Sequence, residues 1–330
     1  RDLHVRSRRQ RQMCIRDRNK DIRQYLSKCR DAYFNGRPMI PDEVYDRLVD
    51  NINTDDVGSA TDSRYKHPFP MYSLQKVFQD EDKAPDYGNE AVVTTTKLDG
   101  AAVSLTYVDG LFHQALTRGD GKAGLDITEK MRCIVPSMLD KYAFAGVRQI
   151  TGEVVAPKEI PNSRNYAAGA LNLKDVQEFK KRDITFISYG VQPTIGARWL
   201  EDMTFLNNWF NVISTSDWNE FPNDGVVFRV DRYSAFEKFG YTSHHPRGAY
   251  AYKTREAGVV TKLLDVEWNT GKSGVIAPTG ILEPITIGGA TISRATLHNI
   301  AFIDEMMLEI GCSVEVIRSG EIIPKVVRRV

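Results

Sequence analysis

The chain reads Thr96-Lys97-Leu98-Asp99-Gly100 and then, beyond an Asp109-Gly110 pair, Thr117-Arg118-Gly119-Asp120-Gly121. The residues before the lysine are β-branched (Val92, Val93, Thr94, Thr95, Thr96) and predict a buried strand over 92–96. That strand ends by presenting a lysine, an aspartate and a glycine. Residues 102–108 and 111–116 predict a hairpin turned at Asp109-Gly110. Such a hairpin returns Arg118 beside the Lys97 turn. A lysine attacks only after losing its proton, and burial or nearby cationic groups promote that loss. The stretch therefore supports a covalent lysine–nucleotide adduct. Taken alone, it also reads as a surface lysine before an ordinary Asp-Gly turn, because so short a motif recurs by chance.

A length of 330 residues predicts two or three domains. With 42% hydrophobic and 26% charged residues, the composition is that of ordinary soluble globular protein and excludes a disordered or fibrous chain. No apolar run approaches the ~20 residues of a membrane span, and no signal peptide is visible. Cys14, Cys29, Cys133 and Cys312 are scattered without metal spacing, which predicts free thiols, a reducing compartment and no zinc site in this stretch. The net charge of +1 does not announce a nucleic-acid partner, although a local basic groove is compatible with it. The chain begins at Arg1, and residues 6–12 are basic and almost free of apolar side chains. This start reads as a nucleic-acid-binding arm, a disordered tail, or sequence foreign to the gene. Residues 1–20 are set aside from the fold as a disordered or artefactual basic tail.

From Asp21 the pattern turns helical. Ile22, Tyr25, Leu26, Cys29, Ala32 and Tyr33 recur at helical spacing, and Asn35-Gly36 stops the run. A second helix starts at Asp42, with Tyr45 and Asp46 on the same face. These three read locally either as a cap plus a core ring, or as a stacking ring flanked by carboxylates that suits a cationic aromatic such as nicotinamide. Residues 55–66 predict a linker, and His67-Pro68 opens a new domain. There, strands and short helices follow in mixed order, which argues α+β with antiparallel sheets. A helix is predicted over 125–134, and strands over 149–155, 184–191 and 224–230, with another ending at Lys253. Residues 163–170 are small and polar around Arg164, and residues 198–222 give no motif.

After Thr254 the texture changes again. Short strands are predicted over 263–268, 274–277, 281–287, 290–292 and 313–317, with one helix over 300–308. Five short strands and a helix suit a Greek-key barrel of the oligonucleotide-binding (OB) type. Lys272, Arg294 and Arg318 fall near its turns, as phosphate contacts or as ordinary solvated surface.

In chain order, the signals are Lys97-x-Asp99-Gly100, Arg118-Gly-Asp-Gly121, Gly152-Glu153, Asp224-Gly-Val-Val227, Tyr252-Lys253 and then a barrel. This order resembles the covalent nucleotidyltransferases: DNA ligases, RNA ligases and capping enzymes. The finer wording includes Thr117-Arg-Gly-Asp-Gly-x-x-Gly-x-Asp126, Ser163-Arg-Asn-x-Ala-Ala-Gly169, Pro246-Arg247, Leu282-Glu-Pro284, Ala295-Thr-Leu-His-Asn299, Ile322-Ile-Pro324 and Pro41-Asp-x-x-Tyr-Asp46. It resembles the bacterial-type NAD-dependent DNA ligases from about residue 21 to residue 330.

The resemblance implies a multidomain α+β chain: a helical domain over 21–66 that binds nicotinamide mononucleotide, an adenylation domain over 67–255 and an OB-fold domain over 256–330. It implies that Lys97 takes AMP from NAD and passes it to the 5′-phosphate of a DNA nick, which the 3′-hydroxyl then seals. Tyr33, Asp42, Tyr45 and Asp46 would form the nicotinamide mononucleotide pocket. Ser73 and Leu74 would contact the adenosine, and Glu153 the ribose. Arg118, Arg164, Arg229 and Lys253 would serve the phosphates and nucleotide, beside the catalytic Lys97 and Asp99. Asp224 would help to hold a divalent ion, magnesium or manganese. Nicked duplex DNA is the implied partner, the protein a monomer without membrane attachment, and the location bacterial cytoplasm or that of a virus-infected host.

Four positions depart from the family pattern. Thr95 stands where a glutamate reads the adenine, Phe34 replaces a histidine, Arg229 a lysine and Asn172 an arginine. They point to a divergent member, a viral one included. The chain stops at Val330, where the family continues into zinc-binding and helix-hairpin-helix domains, so a fragment is expected. Two other readings remain open: an ATP-using polynucleotide ligase or capping-type nucleotidyltransferase, and a nucleic-acid-binding remnant without catalysis.

Overall fold

The structure is a computed structural model that describes residues 19–33, 35, 37–56, 64–79, 82–253, 258–270, 276–287, 290–319 and 323–330. It divides into two compact units at Thr254 and Arg255.

The first unit is built on two sheets. The larger has five strands in the order Leu111–Thr117, Ala101–Val108, Val147–Val155, Thr185–Gln192 and Asn211–Val212. Its neighbours are antiparallel except the last pair. The hairpin forms where the sequence predicts it. Asp109 (φ 49°) and Gly110 (φ 78°) both take positive φ, the geometry whose twist matches the flanking strands. The second sheet has four strands in the order Gln75–Phe78, Ala249–Lys253, Asn223–Val230 and Val92–Leu98. The strand carrying Lys97 is thus the edge of its sheet, with Val92 39% exposed, not the buried strand expected.

Register fixes which side chains share a face. Val227 lies opposite Thr95 and Ala251, and Arg229 lies opposite Val93 and Ala249. Alternation therefore puts Val93, Thr95, Lys97, Val227, Arg229, Ala251 and Lys253 on one side. Val93 packs into the main core with Leu105, Ile150 and Ile187, so this side looks toward the five-stranded sheet. The opposite side carries Val77 and Tyr250, covered by Tyr87 and Phe239.

Helices 19–33 and Asp42–Asp56 pair through Ile22, Tyr25, Leu26, Cys29, Val44 and Leu48. This small core also takes in Val108 and Val147, at the turn end of the hairpin. That seat is about 23 Å along the strand from Ala101, at roughly 3.3 Å per residue.

Several local expectations are corrected. Arg64–Lys66, expected as linker, is a strand paired with Ala123–Leu125. The helix expected over 125–134 is a single turn, Thr128–Met131; Asp126 Oδ1 accepts the Thr128 N–H at 2.8 Å and starts it late. The small polar stretch around Arg164 is a helix, Ser163–Asn172. The motif-free region contains the helix Trp199–Leu206, whose Trp199, Met203 and Leu206 are core residues.

The second unit is a closed five-stranded barrel in the order Val259–Thr270, Ile276–Ile287, Ala290–Thr296, Ile323–Arg329 and Ser313–Ser319. The helix Ile300–Glu305 is capped by Asn299, whose side chain accepts the Phe302 N–H at 2.9 Å. The strands expected over 274–277 and 281–287 are one strand, and the fifth strand is Ile323–Arg329. Pro278 suggested a break between two strands, but the strand runs through it, with a register shift further on between Ile281 and Ile285.

Candidate nucleotidyl-transfer site

The Lys97 turn is pressed against the five-stranded sheet. A Cβ on Gly100 would lie 2.3 Å from the Val154 carbonyl oxygen, so only glycine lets the backbones approach this closely. The returning Arg118 donates its backbone N–H to the Ala102 carbonyl at 3.0 Å, which brings the second motif beside the first. Gly119 holds φ +57°, and a Cβ there would meet the Ala123 carbonyl oxygen at 1.9 Å.

At the centre, Asp224 bridges two lysines. Lys97 Nζ donates to Asp224 Oδ1 at 2.6 Å, and Lys253 Nζ donates to Oδ2 at 2.5 Å. Burial opposes the charge on Asp224, but the two ammonium groups outweigh it and hold the carboxyl below its ordinary range. Asp99 is buried (5% exposed) and pairs with Arg164 Nη1 at 3.1 Å, while its backbone N–H donates to the Pro222 carbonyl at 2.8 Å. Glu153 lies on the facing sheet, opposite Ala102. Burial pushes its carboxyl up to about 7; Asp99 acts in the same direction, and Lys97 and Arg118 act against it. Lys97, Asp99, Arg118, Glu153, Asp224 and Lys253 therefore form one electrostatic group, drawn from strands of both sheets.

The other expected site residues are more dispersed. Ser73 is tied to the 241–247 loop through its N–H to the His244 carbonyl at 3.2 Å, and Leu74 packs on the outer core of the four-stranded sheet. Tyr33, Asp42, Tyr45 and Asp46 sit on the helical pair; Tyr45 packs partly on its core, and Asp42 and Asp46 are exposed. Asn172 donates to the Ala168 carbonyl at 3.2 Å. The Arg229 guanidinium packs among rings, 4.2 Å from the centre of Phe236, 5.8 Å from Tyr233 and 6.0 Å from Trp199. In the barrel, Arg294 pairs with Glu267. Lys272 and the Arg318 side chain, like Phe34, lie outside the described residues.

Two residues went unassigned in the sequence. His67 is buried between Ser104 Oγ (Nδ1, 2.8 Å) and the Arg118 carbonyl (Nε2, 3.0 Å). A carbonyl only accepts, so Nε2 carries the proton and Nδ1 accepts from the serine hydroxyl. The neutral ring thereby pins the backbone of Arg118. Tyr189 lies close enough to Glu153 and Arg118 to feel both charges. Its position in an alternating strand next to Gly190 was the available signal.

A divalent ion at Asp224 does not fit these surroundings. Both carboxylate oxygens are already engaged by ammonium groups, and two positive neighbours repel a cation. Among the described residues, no group of three or more His, Cys, Asp or Glu side chains is arranged to hold a metal.

An amine clamped beside a second amine, facing a buried carboxylate and two arginines, is suited to taking a nucleotidyl group and handing it on. The chain is a covalent nucleotidyltransferase. The family model described as the NAD-dependent DNA ligase adenylation domain matches residues 59–161, and that of the NAD-dependent DNA ligase OB-fold domain matches residues 260–330. Together they span just over half of the chain, which belongs to the NAD-dependent DNA ligase family.

Among solved structures, the chain is similar to Pmar-Lig_PreS3, with 13% identity over 86% of this chain and 71% of that one, at a TM-score of 0.48. It is similar to mycobacterial DNA ligase D complexed with ATP and MES, with 10% identity over 74% and 88%, at 0.34. It is also similar to Chlorella virus DNA ligase-adenylate, with 8% identity over 79% and 100%, at 0.25.

Proposed function

We propose that this chain self-adenylates from NAD at Lys97 and joins nicked duplex DNA. Lys97 Nζ attacks the α-phosphorus, a P–N bond forms, and the P–O bond to nicotinamide mononucleotide breaks. That nucleotide leaves with the bonding pair, and the lysine proton passes to solvent. AMP then moves to the 5′-phosphate of the nick, and the 3′-hydroxyl displaces it. The observation that carries this reading is the clamp of Lys97 and Lys253 on Asp224. Asp224 aims the nucleophile, Lys253 supplies positive charge beside the developing phosphorane, and Glu153 accepts from the ribose hydroxyls. Arg118 and Arg164 neutralise phosphate charge, and Asp99 orients Arg164. Ser73 and Leu74 border the adenosine, and Tyr33, Asp42, Tyr45 and Asp46 bind the nicotinamide nucleotide. Magnesium or manganese enters as a companion of the substrate phosphates, whose oxygens suit a hard cation. The protein acts as a monomer in the cytoplasm, with Arg294 at the DNA.

Intact mass after incubation with NAD and magnesium, beside ATP and a Lys97→Ala control, tests the reading. A gain of one AMP from NAD alone, absent in the variant, supports it. A gain from ATP moves the protein to the ATP-using polynucleotide ligases. No gain in a folded sample favours a DNA-binding remnant.

A further inference from the structure

We infer that His67 is a positioning residue for nucleotidyl transfer: its imidazole fixes the backbone from which Arg118 reaches the phosphates, so its loss slows the transfer step and leaves NAD binding intact. The inference rests on Lys97 being the nucleophile and adds a residue that acts through Arg118. Arg118 follows the end of the strand Leu111–Thr117 and opens a turn in which Gly119 and Gly121 both hold positive φ. Its N–H is tied to the Ala102 carbonyl at 3.0 Å. Its carbonyl accepts twice, from the Gly121 N–H at 2.9 Å and from His67 Nε2 at 3.0 Å. The first bond closes the turn on itself, and the second ties it to a segment 51 residues earlier.

His67 can serve as an anchor because the residues around it are themselves held from several sides. The Asn51 side chain accepts the Lys66 N–H at 2.8 Å and donates to the Lys66 carbonyl at 2.9 Å. Arg47 Nη1 donates to the Pro68 carbonyl at 2.8 Å. Both side chains come from the helix Asp42–Asp56, so the helical pair grips the chain on either side of His67. The Gln149 side chain exchanges two hydrogen bonds with the backbone of Phe69, at 3.0 and 2.7 Å. Ser104 Oγ holds the other ring nitrogen at 2.8 Å, and both His67 and Ser104 are buried. Hydrogen bonds made away from water are stronger, and a shell of this kind locks the group it supports.

Arg118 lies near enough to Glu153 to weigh on its charge, within the group that contains Lys97. A long side chain multiplies a small backbone rotation into a large shift at its tip, and about 1 Å of misplacement can cost on the order of 100-fold in rate. A misaimed guanidinium still attracts the phosphates of the bound nucleotide. What it loses is the match to the charge that develops as the bond to phosphorus forms. The maximal rate therefore falls while the half-saturating NAD concentration holds.

Two near-isosteres separate the contacts of the ring. Glutamine places its amide nitrogen where Nε2 lies and donates to the Arg118 carbonyl; asparagine reaches only as far as Nδ1 and meets only Ser104. The test follows Lys97 labelling by intact mass over a range of NAD concentrations, with folding checked by urea unfolding. His67→Asn should lower the maximal rate by about 10–100-fold and change the half-saturating NAD concentration by less than about threefold. His67→Gln should stay within about fivefold of the wild-type rate. In an Arg118→Ala background, His67→Asn should cost no more than about twofold further, because residues that act as one unit are not additive. Ser104→Ala loosens the ring while keeping it and should lower the maximal rate by about threefold, which gives the reading where His67→Asn does not fold. Equal rates for glutamine and asparagine, an additive loss in Arg118→Ala, an unchanged rate in Ser104→Ala, or a loss confined to the half-saturating concentration overturns the inference and leaves the ligase reading standing. No labelling of the wild type overturns the ligase reading itself, and the inference with it.

Discussion

Replacing Glu153 with glutamine should stabilise the empty enzyme while impairing it. The glutamine keeps the shape and removes a charge that burial opposes. In the folded chain this carboxyl is pushed from an ordinary 4.5 to about 7. Between those values the unfolded chain ionises while the folded one stays protonated, so the unfolded state binds fewer protons and stability falls as pH rises. At about 1.4 kcal/mol per tenfold in acidity, the full difference is roughly 3 kcal/mol above pH 7. At pH 5 it is only about 1 kcal/mol, because that pH lies just half a unit above the unfolded carboxyl's ordinary value. Urea unfolding followed by tryptophan fluorescence at pH 5 and pH 8.5 reads the effect. Glu153→Gln should gain roughly 2–3 kcal/mol on the wild type between the two pH values. NAD labelling should fall in the same variant, since a neutral amide accepts more weakly from the ribose hydroxyls. A wild-type-to-variant difference that does not grow with pH, or a variant that loses stability at pH 8.5, would refute the reasoning.

Asp224→Ala leaves two ammonium groups facing each other without their bridge. It should cost about 1–3 kcal/mol and abolish labelling while Lys97 remains in place, as checked by unfolding and intact mass. Gly119→Ala forces a Cβ onto the Ala123 carbonyl at a positive φ and should cost more than about 2 kcal/mol. Gly169→Ala, inside a helix with open space around the new methyl, should be neutral or stabilising by up to about 1 kcal/mol. Burial lowers the His67 pKa below 6.5, so the unfolded chain takes up a proton first as pH falls. The contribution of His67 to stability should therefore be intact above about pH 6.5 and decline below it, and by NMR its ring should titrate below the range of an ordinary histidine.

The chemistry-bearing turns were legible because glycine announces them. Gly100 and Gly119 sit where any Cβ would strike a carbonyl, and Asp109-Gly110 takes the backbone that its hairpin requires. The direction of a long side chain was not legible. Arg229 belongs by position to the nucleotide face, yet its surroundings come from Trp199, Tyr233 and Phe236 on two helices, one of them in a stretch that carried no motif. The barrel was recognised as a class with five strands, but their boundaries were misplaced. Proline mid-strand mimics a break, and the closing strand, Ile323–Arg329, is half basic and lacks clean alternation. His67 was passed over because its value lies in the Arg118 carbonyl it holds, a partner 51 residues away.

The order in which the sheet carrying Lys97 is stitched has a consequence for biogenesis. Its strands come from residues 75–78, 92–98, 223–230 and 249–253, and the last of these pairs in parallel with the first. The five-stranded sheet is complete by Val212, but Lys97 gains neither Asp224 nor Lys253 until the ribosome has travelled far beyond it. The 155 residues between Lys97 and Lys253 take roughly 8–30 s to translate at about 5–20 residues per second. During that interval, the nascent chain carries a lysine and no nucleotidylation site. On the proposed function, labelling of Lys97 would thus double as a signal that the first unit has been threaded to its end.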